Sequence, residues 1–351
     1  MNWAQRSQAS FRSALPPILA VLAALFVGAL LMLIAGASPI AAYSALFRQA
    51  LTTYFGFADT LTKTTPLLLA SLGVLVALRA GQFNLGAEGQ IYMGGLGSLL
   101  VGLAFPALPM VIHLPLALLG GFGFGAAWGA IAGYLKVARG LNEVLTTLLL
   151  NYVAQNLISY LVNGPLKAAD APSPFSELVA AAAYLPTILP KTQAHAGIFV
   201  GLAIAFILTL AFAITAWGYR IDTVGQNPIA ASYAGISVNR TILSVMALSG
   251  GLAGLAGSSE VLGLKRRLFE NFSPGYGFDA LAIALLSRGN PAVVILTAFF
   301  FGALRSGANV MQRSAAVPVS IIYAIQGLIV LFVAISLTVE NRTQKSVEPA
   351  K

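Results

Sequence analysis

Cysteine is absent from the 351 residues, histidine occurs twice, and charged side chains make up only 9% of the chain. Without cysteine there are no disulfides, thiolate metal sites or thiol nucleophiles. His113 and His195 both fall near expected loops, which leaves no imidazole cluster for a metal centre. A water-soluble domain carries about 25% charged residues to cover its surface. At 9% charged and 58% apolar, this chain lacks the means to build such a surface. A soluble enzyme, a disordered chain and a fibrous repeat are thereby excluded, and a polytopic helical membrane protein remains. Acidic residues are scarce too, 11 against 20 Lys and Arg, giving a net charge of +9. The bases are scattered through short polar segments, so they read as membrane flanks and not as a nucleic-acid surface.

Long apolar runs are what the chain has instead. The first, Leu15–Ile34, follows Arg6 and Arg12 and precedes Ala35-Gly36-Ala37, which resembles a signal-peptide cleavage site. At about 20 residues it exceeds the apolar core of a signal peptide and is read as a retained first helix. Pro66–Leu78, Ile91–Phe105, Pro115–Leu135, Val144–Val162, Ile198–Trp217, Ile242–Leu262, Phe278–Leu286, Pro291–Met311 and Val319–Leu337 follow. The prediction is an all-α membrane protein of about ten transmembrane helices, with Pro66–Leu78 and Phe278–Leu286 too short to span as regular helices. One transmembrane domain covers 15–338, with 1–14 as a cytoplasmic N-terminus and 339–351 as a cytoplasmic tail. This orientation puts barely more than half of the 20 Lys and Arg inside, a bias too small to set the topology alone. The longest polar stretch, 163–196, holds Pro165, Pro172, Pro174, Pro186 and Pro190, and reads as an ordered external loop or as a plain linker. Gly121, Gly125, Gly129 and Gly133 recur every four residues, and Gly250, Gly254 and Gly257 form a second stripe. Such stripes let helix backbones approach closely in lipid, either within a bundle or at a subunit seam.

Two polar interruptions break the apolar pattern. Residues Arg79-Ala-Gly-Gln-Phe-Asn-Leu-Gly-Ala-Glu-Gly-Gln90 place Asn84, Glu88 and Gln90 between two short runs. Irregular backbone at membrane depth is tolerated only where protein covers it or where it lines an aqueous cavity. An ordinary cytoplasmic loop is the alternative, but it would leave both flanking runs undersized, so a broken helix is the better reading. Ser273-Pro-Gly-Tyr-Gly-Phe-Asp279 opens the second interruption, before a half-length helix and Arg288-Gly-Asn-Pro291. Paired short, Gly/Pro-interrupted segments point to the solute site of a transporter built from inverted repeats, here five helices plus five.

Between the interruptions, Glu143, Thr147, Asn151 and Gln155 share one face of a helix. That stripe either lines a hydrophilic pathway or hydrogen-bonds to neighbouring helices. The Gly-Tyr-Gly-Phe-Asp279 segment is superficially similar to the glycine–aspartate motif of intramembrane aspartyl proteases. Those enzymes need a second membrane aspartate, whereas Asp59, Asp170 and Asp222 all fall in expected loops.

A different device follows Trp217. In Gly225-Gln-Asn-Pro-Ile-Ala-Ala-Ser-Tyr-Ala-Gly-Ile236, Asn227 is a favourable N-cap, Pro228 suits the first helical position and Gly235 suits a left-handed C-terminal cap. The expectation is a stiff helix over 227–234 outside the membrane, thin enough through Ala230 and Ala231 to lodge in a partner's groove, or else a surface helix with no partner. This segment resembles the cytoplasmic coupling loop of bacterial ABC-importer permeases in the ribose and branched-chain amino acid superfamily. Phe83–Gln90, Leu141–Thr147 with Asn151-Tyr152, and Ser273–Asp279 with Arg288–Pro291 are similar to the subgroup assigned to nucleosides and simple sugars. The resemblance spans roughly residues 60 to 335.

The resemblance implies a non-enzymatic permease in a bacterial inner membrane, importing nucleosides or related simple sugars by alternating access. It also implies the partners: a cytoplasmic ATPase with two nucleotide-binding domains on one chain, a second related permease forming a hetero- or homodimer, and an extracytoplasmic substrate-binding lipoprotein. The chain has no Gly-x4-Gly-Lys-Ser/Thr phosphate loop, so no bound cofactor is expected and ATP with Mg is to be hydrolysed by the partner. Gly225, Asn227, Pro228, Ala230, Ala231, Tyr233 and Gly235 are the coupling residues expected within 218–241. Asn84, Glu88, Gln90, Asn151, Gln155 and Asp279 are the polar candidates for a ribose, with Phe83, Tyr152 and Phe278 as walls for a base. The rival is a proton- or ion-coupled secondary transporter, with Glu88 or Asp279 carrying the proton.

Overall fold

The computed structural model describes residues 3–169, 172–315, 317–318 and 320–347. They form thirteen α-helices: α1 (Trp3–Ile34), α2 (Pro39–Thr52), α3 (Tyr54–Arg79), α4 (Ala87–Ala104), α5 (Met110–Arg139), α6 (Glu143–Asn163), α7 (Gly197–Ile214), α8 (Ala216–Gln226), α9 (Pro228–Tyr233), α10 (Val238–Ser259), α11 (Tyr276–Leu286), α12 (Pro291–Ala315) and α13 (Ser320–Val347). A π-helical turn, Glu260–Lys265, extends α10. Among the described residues there is no sheet, only isolated bridges pairing Lys167 with Ser176, Phe175 with Phe269 and Thr187 with His195. Among the described residues, six helices are long and apolar enough to cross a membrane: α3, α5, α6, α7, α10 with its π turn, and α12.

The ten apolar runs mark ten separate helices, but the helices are not always those runs, and Ile198–Trp217 crosses from α7 into α8 at Thr215. Pro66–Leu78 is not undersized, because α3 begins at Tyr54 and has 26 residues. Its first half looks too polar to continue a membrane helix. Thr62, Thr64 and Thr65 nevertheless donate their hydroxyls to the carbonyls of Ala58, Thr60 and Leu61, and Lys63 pairs with Asp59 at 2.8 Å. Back-bonded threonines present only methyl groups outward, so the segment can be buried. Asp59 and Asp222 therefore lie on α3 and α8, not in loops, and Asp170 lies outside the described residues. The short α11 agrees with expectation at 11 residues. Residues 1–2 and 348–351, at the outer ends of the expected tails, lie outside the described residues.

The chain divides into two compact units, 57–302 and a second made of 1–56 with 303–351. In the smaller unit, the Tyr43 hydroxyl donates to the Leu25 carbonyl at 2.6 Å, and the Ser306 hydroxyl donates to the Gly56 carbonyl at 3.1 Å. Arg305 stands 5.8 Å from the centre of the Tyr323 ring.

In the larger unit the two glycine stripes meet each other. A Cβ added at Gly129 would lie 3.0 Å from Gly250 Cα, and one at Gly125 would lie 2.7 Å from Gly254 Cα. The third partner is α4, whose Gly94 carbonyl would sit 2.9 Å from a Cβ at Gly121. Lipid tails solvate apolar side chains as well as a neighbouring helix does, so this backbone-to-backbone approach is what draws α4, α5 and α10 together. Fourteen of the eighteen residues of α4 are buried. The 163–196 segment is ordered where described: Ser176 and Val179 donate backbone N–H groups to Leu268 and Arg266, and Leu185 donates to Leu262.

Candidate functional site

The first interruption is a turn between α3 and α4, entered through Gly81 at φ +72°. Asn84 organises it. Its Oδ1 accepts from the Gly86 N–H at 2.9 Å and from Gln90 Nε2 at 3.1 Å, and its Nδ2 donates to Gln90 Oε1 and to Ser249 Oγ on α10, both at 2.8 Å. Asn151, on α6, holds the same turn from the other side. It donates to the Leu85 carbonyl and accepts from the Gly89 N–H, each at 2.8 Å. Thr147, one turn earlier on α6, accepts from the Leu85 N–H at 3.2 Å. An interrupted helix leaves backbone groups without intrahelical partners, and two side chains from α6 satisfy three of them here.

The second interruption is held by the first. Glu88, in the opening turn of α4, accepts from the backbone N–H groups of Gly275 at 3.2 Å and Gly277 at 2.6 Å. These amides open α11, so a carboxylate sits at the positive end of that helix. Gly275 is left-handed at φ +88°, and a Cβ on Gly277 would fall 2.5 Å from Glu88 Cα. The two breaks thus touch backbone to backbone, with Tyr92 stacked edge-on against Phe272 at 4.8 Å beside them.

The nine pathway candidates separate cleanly by burial. Asn84, Glu88, Gln90 and Asn151 are at most 2% exposed and belong to this one lattice. Phe83, Tyr152 and Phe278 are 48–59% exposed, while Gln155 and Asp279 are intermediate. Sequence reasoning missed Ser249, whose only signal was its place beside the Gly250 stripe. It also missed the partnership of Arg79 with Asp222, an isolated base and acid that flank apolar runs far apart in the chain.

The capped helix expected over 227–234 is α9, Pro228–Tyr233. Asn227 Oδ1 accepts from the Ile229 and Ala230 N–H groups, both at 3.0 Å, and Pro228 takes the first turn. Gly235 closes the helix at φ +78°, and the Ile236 N–H donates to the Ala231 carbonyl at 3.0 Å. Ala231 turns inward and is buried, while Ala230 is exposed. Ile229 and Tyr233 project outward at 69% and 89% exposure. Among the described residues nothing covers this phenol. Gly225, near the end of α8, lies against the Arg79 carbonyl end of α3. A cleft of about 490 Å³ beside α9 is walled by Trp217 and by Arg220 and Arg240.

Six long apolar helices, glycine-seamed packing and two interrupted segments held together at their turns define a multi-pass membrane permease. Residues 56–334 match the family described as the permease component of branched-chain amino acid transport systems, and the chain belongs to that family. It is 37% identical, over 91% of its length and 87% of the other chain, to a glucose ABC transporter permease protein of Haloferax volcanii. It is 36% identical to the guanosine ABC transporter permease protein NupP of Bacillus subtilis, over 93% of its length and 94% of the other. The guanosine permease NupQ of the same organism is also similar, at 26% identity over 70% of this chain and 79% of that one.

Proposed function

We propose that this chain is one of two permease subunits of an ATP-driven importer that moves nucleosides into the cytoplasm by alternating access. The observation that carries the reading is α9, a rigid six-residue helix, capped at both ends, with Ile229 and Tyr233 bare at its surface. A structure stiff enough to transmit a push, and left uncovered by the described residues, suits docking to a cytoplasmic ATPase. That ATPase, with two nucleotide-binding domains on one polypeptide, hydrolyses ATP with Mg, and an extracytoplasmic lipoprotein delivers the solute. The second permease is a related but different chain, a reading supported by the similarity to both NupP and NupQ.

The architecture proposed for the membrane is ten crossings in a five-plus-five inversion, with both termini cytoplasmic, 163–196 outside and 218–241 inside, in a bacterial inner membrane. Two features support it. The ten apolar runs mark the cores of ten separate helices, and α4 and α11 each begin after a glycine-rich interruption. Asn84, Glu88, Gln90 and Asn151 set the backbone of the passage, and Phe83, Tyr152, Gln155, Phe278 and Asp279 face the solute. Aromatic and amide groups of that kind fit a flat base on a hydroxylated sugar. Nucleosides are favoured by the guanosine relative, matched along 94% of its length. Simple sugars are the second reading, favoured by the glucose relative. Proteoliposomes holding this chain, its companion permease and the ATPase should accumulate labelled guanosine in preference to glucose, with ATP and despite an uncoupler. Preferential glucose uptake would move the assignment to sugars, and uptake that needs no ATPase but collapses with uncoupler would replace the importer by a symporter.

A further inference from the structure

Arg79 is the last residue of α3, and its guanidinium joins three other elements. Nε donates to Asp222 Oδ1 at 2.7 Å, Nη2 donates to Asp222 Oδ2, and Nη1 donates to the Gly289 carbonyl at 3.2 Å. The same group lies 3.9 Å from the centre of the Phe212 ring near the end of α7. Asp222 is on α8, and Gly289 is in the turn between α11 and α12. One side chain therefore ties α7, α8 and the α11–α12 turn to the point where α3 breaks.

The backbone makes a second link at the same place. Gly225, one turn beyond Asp222, packs on the α3 terminus so closely that a Cβ on it would lie 3.0 Å from the Arg79 carbonyl carbon and 3.2 Å from that of Ala80. Gly81 faces Gly225 in turn, with its own Cβ position 3.3 Å from the Gly225 oxygen. Beyond Gly225, α8 and α9 share a single residue. The Asn227 N–H donates to the Thr223 carbonyl at 3.0 Å to close α8, and the Asn227 side chain caps α9. No flexible linker separates them. Five residues past Arg79 in the other direction stands Asn84, the organiser of the buried lattice.

We propose that Arg79, clasped by Asp222, is the joint through which displacement of the α8–α9 segment reaches the interruption at 80–86 and so the passage. The proposal rests on the reading of α9 as the coupling helix. A planar guanidinium gripping a carboxylate through two parallel hydrogen bonds fixes orientation as well as distance, which a lone ammonium does not. The pair is partly solvated, with side-chain exposures of 23% and 30%, and a cleft of about 570 Å³ opens beside it. Fixing geometry at this solvent-reached site is therefore its main contribution, ahead of stability. Arg79 is a positioning residue and does not need to touch the solute.

The test uses proteoliposomes of the full complex and compares uptake with ATP hydrolysis. Arg79→Gln and Asp222→Asn should each lower solute moved per ATP by roughly tenfold, while association with the ATPase and its basal hydrolysis stay at the wild-type level. Arg79→Lys should fall between wild type and Arg79→Gln, and the exchange Arg79→Asp with Asp222→Arg should recover uptake above either single variant. Unchanged uptake per ATP in both single variants overturns the proposal. So does loss of ATPase association in both, or an exchange variant no better than its parents. Tyr233→Ala, measured alongside, reports on α9 itself. If it associates and transports like wild type the coupling reading fails, whereas altered Tyr233→Ala with unaltered Arg79 variants removes the joint alone.

Discussion

Asparagine is used in opposite ways in two regions of this molecule. Asn151 is buried between α6 and the first interruption, and both ends of its amide are engaged by backbone groups of another element. Asn227 lies at the surface and caps only its own helix. Deep in the unit, Asn84, Glu88 and Asn151 replace hydrogen bonds that broken helices have lost. At the surface, the same chemistry stiffens a short helix whose apolar side chains are left bare. Burial separates the two uses where residue type does not.

That contrast can be broken by substitution. The largest effect is expected at Glu88, where Glu88→Ala strands the Gly275 and Gly277 amides in a buried turn. The expected cost is about 3 kcal/mol, read as a lowered thermal midpoint in detergent together with lost uptake. Asn151→Ala leaves one donor and one acceptor unmatched and should cost about 2 kcal/mol by the same measurement. Asn227→Ala should cost only about 1 kcal/mol, confined to α9, and lower ATPase association without moving the global midpoint. Equal midpoints for Asn151→Ala and Asn227→Ala would erase the distinction.

A smaller effect concerns pH. Burial in the 163–196 segment pushes the His195 imidazole down from 6.5 to about 4, and its Nδ1 accepts from the Gly197 N–H at 3.3 Å. The folded chain keeps this ring neutral while the unfolded chain protonates it below about pH 6.5. Its contribution is therefore complete above pH 6.5 and is lost as pH falls from there towards 4. His195→Gln should flatten the pH dependence of the thermal midpoint across that window. An unchanged slope would mean that His195 is not the group responsible.

Much of this organisation is readable from one-dimensional pattern. Apolar runs mark the cores of ten helices, and Asn227, Pro228 and Gly235 mark both ends of α9. The glycine stripes announce close packing, although only the structure shows them meeting each other on α5 and α10. What was not legible has identifiable causes. The first half of α3 is polar by composition and becomes buriable only through threonine back-bonding. The amphipathic helices α2 and α8 lack a long apolar run. Ser249 is 165 residues from Asn84, and Asp222 is 143 from Arg79, so neither pairing leaves a local signature. The buried candidates were identified by the cost of polar groups in hydrocarbon, and that cost is met here by other parts of the chain.

The central claim is that this permease is moved from outside its own chain, through α9. Replacing 227–234 by a flexible glycine–serine linker in the full complex tests it most directly. The account predicts normal membrane insertion and an unaltered thermal midpoint, with ATP-driven uptake abolished. Uptake at the wild-type rate through the linker variant would contradict it.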